Sequence, residues 1–211
     1  MRLLLTRSRH DVANQYLYAY SEEIIGDALE HGWKVDRVEN EHCVEAELDS
    51  RLEKNRPAFV FFNGHGSESS IHGNKNGKLV DIGSASKLSG TITFARSCAA
   101  LKSLGGAAVE MGCTAFIGYS GSFIVPHTNE LEATPIRDMV AMPVMEVSNL
   151  VGKHLLKGDG VQNSVDAAQA KARDIMLKML SSTEPYHAAT FRALYQNYLV
   201  LGFVGNPDAK V

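Results

Sequence analysis

Short runs of apolar residues alternate along the chain with longer segments in which apolar residues recur every three or four positions. The run at residues 3–5 has the length of a buried strand, and the next segment places Val12, Tyr16 and Ile24 on one helical face. Asp11 stands directly before that segment, where a residue that caps a helix is expected. The N-terminal region therefore predicts a strand followed by a helix.

The same alternation continues towards the C-terminus. Further strands are predicted at residues 33–38, 58–62, 91–95, 114–119 and 198–204. Helices are predicted over residues 44–52 and 99–111, then one opened by Pro143, one capped by Ser164 and one that begins after Thr183. Residues 79–82 predict a small ribbon, and residues 120–142 show no period and predict a mobile loop. This order of elements predicts an α/β fold: a mostly parallel sheet with helices on both faces.

Composition favours a single domain over residues 1–211, because no linker or change in composition divides the chain. Hydrophobic residues make up 45% of the sequence, enough for a buried core. The formal net charge is -3 and no run of lysine or arginine is present, which argues against a nucleic-acid partner.

The environment of the protein is predicted from its apolar runs and its cysteines. No run approaches the roughly 20 apolar residues that cross a bilayer, and no cleavable leader follows Met1, so we expect no membrane partner. The three cysteines, Cys43, Cys98 and Cys113, are odd in number and widely spaced, which argues against a disulfide framework. We therefore expect a cytoplasmic location.

Two reactive residues follow two of the predicted strands. His65 comes after the strand at 58–62, and Cys98 comes after the strand at 91–95. In a parallel sheet the carboxyl ends of the strands meet at one edge, where ligands bind, so these two side chains are expected to converge. A thiol is mostly protonated at neutral pH, and an imidazole is the base that activates it. The alternative is that Cys98 is simply part of the core.

The surroundings of this pair suit acyl transfer. Gly66 has no Cβ, so its backbone N–H, together with that of Cys98, can approach the oxyanion of a tetrahedral intermediate. Cys98 also lies close to the predicted start of a helix, where the helix dipole favours a thiolate. The pattern therefore predicts acyl transfer through a thioester, with no cofactor.

Four segments resemble the caspase, legumain and gingipain superfamily of cysteine peptidases. Residues 61–68 (FFNGHGSE) and 93–98 (TFARSC) are similar to the histidine and cysteine motifs of gingipains and CHAT domains. Residues 112–119 and 200–207 resemble the next strand and the gingipain ending, with Asn206 where gingipains usually carry aspartate. The resemblance implies the caspase-hemoglobinase fold and a peptidase that acts on protein or peptide substrates, with His65 and Cys98 as the catalytic dyad.

The resemblance also implies a substrate pocket. The residue two before the catalytic cysteine tends to line that pocket and is Arg96 here, while Arg9 lies in a loop that resembles the arginine-bearing loop of caspases. Two guanidinium groups would bind a carboxylate, which predicts cleavage after aspartate, with glutamate or asparagine as the alternatives. Tyr119 and Ser120 are expected to form a pocket wall. The alternative is that Arg9 and Arg96 are solvated or paired with structural acids.

Other interpretations remain open. One is a gingipain-like peptidase selective for basic residues, with Asp81 or Glu68 in the pocket. Another is a non-catalytic scaffold of the same fold. The turns after the predicted strands contain neither a G-x-G-x-x-G nor a Walker A motif, which argues against a nucleotide site. The spacing of His72 and of the pair His42-Cys43 does not indicate a zinc site. Glu68 is a candidate to orient His65, and an exposed closing strand is a candidate to join two copies in a homodimer.

Overall fold

The computed structural model describes residues 1–181, 183–184 and 186–211. Its strands are β1 (Arg2–Arg7), β2 (Lys34–Glu39), β3 (Phe59–Asn63), β4 (Ser70–His72), β5 (Lys78–Asp81), β6 (Ile92–Arg96), β7 (Ala115–Tyr119) and β8 (Leu201–Gly205). The main sheet has the order β2-β1-β3-β6-β7-β8, and β4 pairs with β5 in a separate hairpin. Within the main sheet β8 runs antiparallel to β7 and the other strands are parallel. The predicted mostly parallel sheet is confirmed.

Helices cover both faces of the main sheet. They are α1 (Val12–Glu30), α2 (Glu45–Asn55), α3 (Gly106–Glu110), α4 (Met142–Leu156), α5 (Val161–Met179) and α6 (His187–Val200). One buried cluster joins the sheet to α1, α4, α5 and α6, and a second joins its other face to α2 and α3. None of the helices in the described residues is long and apolar enough to cross a membrane.

The core follows from the alternating directions of side chains along β3. Phe61 lies in the first cluster, where its ring stacks on that of Phe94 from β6 with the centroids 4.8 Å apart. Val60 and Phe62 point to the other face and join the second cluster. Because both faces of this strand are buried, its sequence is a continuous apolar run, as expected for a central parallel strand.

Three predicted boundaries are wrong. Ser164 does not cap α5, which begins three residues earlier; its hydroxyl donates to the Gly160 carbonyl oxygen at 2.8 Å. The helix predicted from residue 99 begins with a π-helical turn at Leu101–Gly105. α6 runs directly into β8, so the closing strand starts at Leu201 and not at residue 198. Since β8 lies at the edge of the sheet, pairing of two copies through it stays a prediction.

Candidate active site

The register of β3 and β6 brings His65 and Cys98 to the same edge of the sheet. Asn63 lies opposite Arg96 at the carboxyl ends of these neighbouring strands, and each reactive residue follows two positions later. The two strand ends also touch at Gly66, where an added Cβ would lie 2.8 Å from the Ser97 Cβ and 2.9 Å from the Cys98 carbonyl oxygen. Only glycine allows this approach, so His65 and Cys98 extend from segments in direct contact.

Asp11 holds the His65 ring in one orientation. Its Oδ2 lies 2.7 Å from the Nε2 of His65. An ionised carboxylate only accepts hydrogen bonds, so Nε2 carries the proton and Nδ1 of the neutral ring is free to act as a base. Partial burial alone would raise the pKa of Asp11, but hydrogen bonds from Asn14 and His65 outweigh it and hold that pKa below its ordinary value.

The role of Asp11 differs from the sequence interpretation, which assigned it only as the cap of α1. It is that cap, since its Oδ1 accepts from the backbone N–H of Asn14 at 2.9 Å. Glu68, the residue considered for orienting His65, instead pairs with Lys102 on the surface. The order of the strands could have indicated this contact. Because β1 lies beside β3, a carboxylate just beyond β1 lies near a histidine just beyond β3.

Cys98 lies in a tight turn that leaves its side chain partly exposed. The next residue, Ala99, has a φ of 55°, a left-handed conformation that is costly for a residue with a Cβ. A hydrogen bond from the Ala99 N–H to the Gly121 carbonyl oxygen, at 2.8 Å, holds this turn. In the described chain the thiol contacts the Phe123 carbonyl oxygen at 3.7 Å and makes no hydrogen bond to His65. The following helix begins at Leu101, later than predicted.

Two backbone donors lie beside the pair. Among the described residues, the N–H groups of Gly66 and Cys98 donate no hydrogen bond. Ser97, which directly follows β6, is buried, and its hydroxyl has no hydrogen-bond partner among the described residues. Unpaired backbone donors at the strand ends that carry His65 and Cys98 suit the binding of an oxyanion.

Arg96 is a structural residue in this conformation, contrary to its expected position in a substrate pocket. Its side chain is 0% exposed. Its Nε donates to the Asn63 Oδ1 at 2.7 Å and its Nη1 to the Asn149 Oδ1 at 2.7 Å. Burial lowers the pKa of Arg96 to about 9, although nearby Tyr119 and Glu23 act in the opposite direction. The guanidinium therefore meets protein groups and not an open cleft.

Arg9 lies in a different environment from Arg96, so the expected arginine pair is not formed. Its guanidinium stacks on the Tyr18 ring, 3.7 Å from the centroid. Arg9 lines a cavity of about 830 Å³ between α1, residues 132–136 and the start of α4. The charged residues around this cavity are Arg9, Glu22, Glu23, Glu132 and Glu146. Acidic side chains therefore outnumber the single arginine.

The remaining pocket candidates, Tyr119, Ser120 and Asp81, differ in burial and in their hydrogen-bond partners. Tyr119 is a core residue, 1% exposed, whose hydroxyl lies 3.0 Å from the Ser148 hydroxyl and whose pKa burial raises to about 12. Ser120 is exposed beside it, and its backbone N–H donates to the Val200 carbonyl oxygen at 2.7 Å. Asp81 pairs with Lys78 at 2.8 Å, which lowers the pKa of Asp81 to about 2. Of the predicted wall, only Ser120 lies on the surface.

The other titratable candidates differ in their distance from this edge, and His72 lies close to it, because its backbone N–H donates to the His65 carbonyl oxygen at 2.9 Å. Cys43 and Cys113 are buried free thiols, and burial raises the pKa of Cys43 to about 11. His42 is exposed, and His72 bonds through its Nε2 to the Ser70 hydroxyl at 3.0 Å. Among the described residues, a group with the spacing of metal ligands is formed instead by His10, Asp11 and His65. His10 was not singled out by the sequence patterns.

The mostly parallel six-stranded sheet with helices on both faces matches the fold of caspase- and gingipain-like proteins. No family model matches the chain, and no curated protein matches it. Among solved structures, it is similar to the crystal structure of the Arg-specific cysteine proteinase gingipain R, with a TM-score of 0.63 and 11% identity over 100% of this chain. It is also similar to the complex of the Porphyromonas gingivalis RgpB pro- and mature domains, with a TM-score of 0.60 and 10% identity over 98% of this chain.

The chain spans 47% of the length of each of these two solved chains. At such low identity the likeness shows a shared fold. It agrees with the resemblance read from the sequence motifs, and the activity has to be argued from the residues at the site.

Proposed function

We propose that the chain is a cysteine endopeptidase whose nucleophile is Cys98, whose base is His65 and whose orienting carboxylate is Asp11. The observation that carries the proposal is the contact of 2.7 Å between the Asp11 Oδ2 and the His65 Nε2, at the strand edge where Cys98 also emerges. A nucleophile, a base and a third group that orients the base are the parts of a catalytic triad. The fold shared with cysteine proteinases supports this assignment.

In the proposed reaction His65 takes the proton of the Cys98 thiol, and the thiolate attacks the scissile carbonyl carbon. The resulting oxyanion binds the N–H groups of Gly66 and Cys98. When the C–N bond breaks, protonated His65 gives its proton to the leaving amine, and a thioester remains. Water, deprotonated by His65, then attacks the thioester; the acid product leaves and the thiol is restored.

The two substrate preferences differ in how well the described residues support them. Cleavage after an acidic residue rests on Arg9 and Arg96 together, and the guanidinium of Arg96 is committed to Asn63 and Asn149. A basic residue is favoured by the cavity beside Arg9, which four glutamates line; two of them are already paired, Glu22 with Arg7 and Glu23 with Lys153. We therefore propose a preference for a basic side chain, bound in this cavity and not at Asp81 or Glu68.

Both parts of the proposal are tested by incubating a fluorogenic peptide library with the wild-type protein and, separately, with Cys98→Ser. We expect hydrolysis by the wild type only, with lysine or arginine before the cleaved bond. Selection of aspartate at that position would reject the basic preference and restore the acidic one. Equal turnover by Cys98→Ser would reject Cys98 as the nucleophile, and no turnover of any peptide would favour a scaffold of this fold.

A further inference from the structure

Three possible metal ligands from two parts of the chain meet at the edge of the sheet where β1 and β3 end. The ligating atoms of His10, Asp11 and His65 all lie within 4.8 Å of one another. The Asp11 Oδ2 is central: it lies 2.7 Å from the His65 Nε2 and 3.2 Å from the His10 Nε2. The two imidazole rings face each other edge-on, with centroids 6.0 Å apart.

The environment of His10 suits a ligand of a cation. Its Nδ1 lies 2.9 Å from the hydroxyl of buried Ser8, while its Nε2 is buried and has no hydrogen-bond partner among the described residues. The His10 Nε2 lies 3.2 Å from the Asp11 Oδ2, but the two atoms are not aligned for a hydrogen bond. When Nδ1 donates to Ser8, the Nε2 lone pair lies beside a carboxylate, and a cation between them would remove that repulsion.

Hydrogen bonds from Asn14 fix the orientation of the Asp11 carboxylate. Asn14 donates to it both from its backbone N–H, at 2.9 Å, and from its side-chain amide, at 3.0 Å. Partners that hold a histidine or carboxylate ligand in its binding orientation are typical of metal sites. Ser8 does this for His10, and Asn14 does it for Asp11.

The donor set favours zinc. Two imidazoles and one carboxylate with an open fourth position form a common zinc coordination sphere, with bonds of about 2.0–2.2 Å. Donors around such an ion lie roughly 3.3 Å apart, so the observed spacing needs only small side-chain movements. Asp11 and His65 are partly exposed, which leaves a route for the ion to enter.

We propose that His10, Asp11 and His65 bind Zn²⁺, and that the bound ion blocks the base function of His65. The metal site rests on these contacts alone, whereas its inhibitory effect also rests on the proposed function. With zinc on its Nε2, the His65 ring loses its bond to Asp11 and carries a fixed positive centre, which opposes uptake of a proton at Nδ1. Occupied protein would not turn over substrate.

Calorimetric titration of Cys98→Ala protein with ZnCl₂ tests the site without interference from the reactive thiol. We expect one zinc ion per chain, and His10→Ala to weaken binding at least 10-fold. His10→Gln serves as a second variant of similar size in case alanine disturbs the loop. The matched control is His42→Ala, since His42 is exposed and outside the cluster; its affinity should be unchanged. Equal affinity in the His10 variants, or no zinc binding to Cys98→Ala protein, would overturn the inference.

The inhibition is measured separately, as the zinc concentration that halves each variant's own rate of peptide hydrolysis. We expect this concentration to rise at least 10-fold in His10→Ala and to stay constant in His42→Ala. If zinc binds as described but the wild type hydrolyses nothing, the proposed function fails and the metal site stands. If peptides are hydrolysed at a rate that zinc does not alter, the inhibition fails and the peptidase stands.

Discussion

The Asn63 side chain joins Arg96 to β1: its Oδ1 accepts from the Arg96 Nε at 2.7 Å, and its Nδ2 donates to the Thr6 carbonyl oxygen at 3.0 Å. This buried contact ties together the carboxyl ends of β1, β3 and β6. These are the strands that lead to Asp11, His65 and Cys98. The geometry of the candidate site therefore depends on a polar network beneath it.

Arg96→Ala should destabilise the fold. It would leave the side-chain oxygens of Asn63 and Asn149 buried without their donor, at a cost of about 1–3 kcal/mol for each unsatisfied group. Urea denaturation followed by circular dichroism measures the loss. Arg9→Ala is the control, because its stacking on Tyr18 contributes only about 0.5–1 kcal/mol. A stable Arg96→Ala protein with an altered substrate preference would show that Arg96 lines the substrate pocket.

Asp11→Asn should lower kcat/KM by roughly 100-fold, less than the loss seen when a buried triad carboxylate is replaced, because Asp11 is partly exposed. Asparagine still caps a helix, so the free energy of unfolding should change little. Glu68→Gln is the matched control, since it removes a carboxylate that pairs with Lys102 and not with His65. A larger effect at Glu68 than at Asp11 would reverse the assignment of the orienting group.

Gly66→Ala should destabilise the protein by about 1–3 kcal/mol and reduce turnover, because the new Cβ would push apart the segments that carry His65 and Cys98. Gly106→Ala provides the comparison: among the described residues, no atom beyond its chain neighbours and its own helix backbone lies within 4 Å of the added Cβ, and alanine favours the helix there. Thermal unfolding and kcat are measured for both. Wild-type stability and turnover in Gly66→Ala would contradict the close contact of the two strand ends.

Asp138 should make stability depend on pH below about 3.8. Burial alone would raise its pKa, but hydrogen bonds from Tyr16, Thr128 and Val140 hold that pKa below 3.8, its ordinary value. Since the folded-state pKa is depressed, the stabilisation is complete above 3.8 and is lost as the pH falls through the folded-state value. The difference in unfolding free energy between wild type and Asp138→Asn should therefore shrink in acid. A difference that is constant with pH would exclude this role.

The sheet and the positions of His65 and Cys98 were predictable because each depends on local patterns. A buried parallel strand is a continuous apolar run, and a reactive residue that follows one lies at the carboxyl edge. The cap at Asp11 was equally local. These features need only the residues next to them in the sequence.

The environments of side chains were less predictable, because they depend on distant parts of the chain. Arg96 is buried by Asn149, which is contributed by α4, and no local pattern shows that contact. Tyr119 ends an apolar strand and was expected at a pocket wall, yet Ser148 from the same helix covers its hydroxyl. The second role of Asp11 likewise needs the order of the strands, which places β1 beside β3.

The central claim is that Cys98 is a nucleophile activated by His65. Labelling with a peptidyl acyloxymethyl ketone that carries lysine next to the reactive group, followed by peptide mass spectrometry, tests it directly. The account predicts one thioether at Cys98 in the wild type, none in Cys98→Ala and a strongly slowed reaction in His65→Ala, while buried Cys113 stays unmodified. Labelling of Cys98 at the same rate with and without His65, or at no greater rate than Cys113, would contradict it.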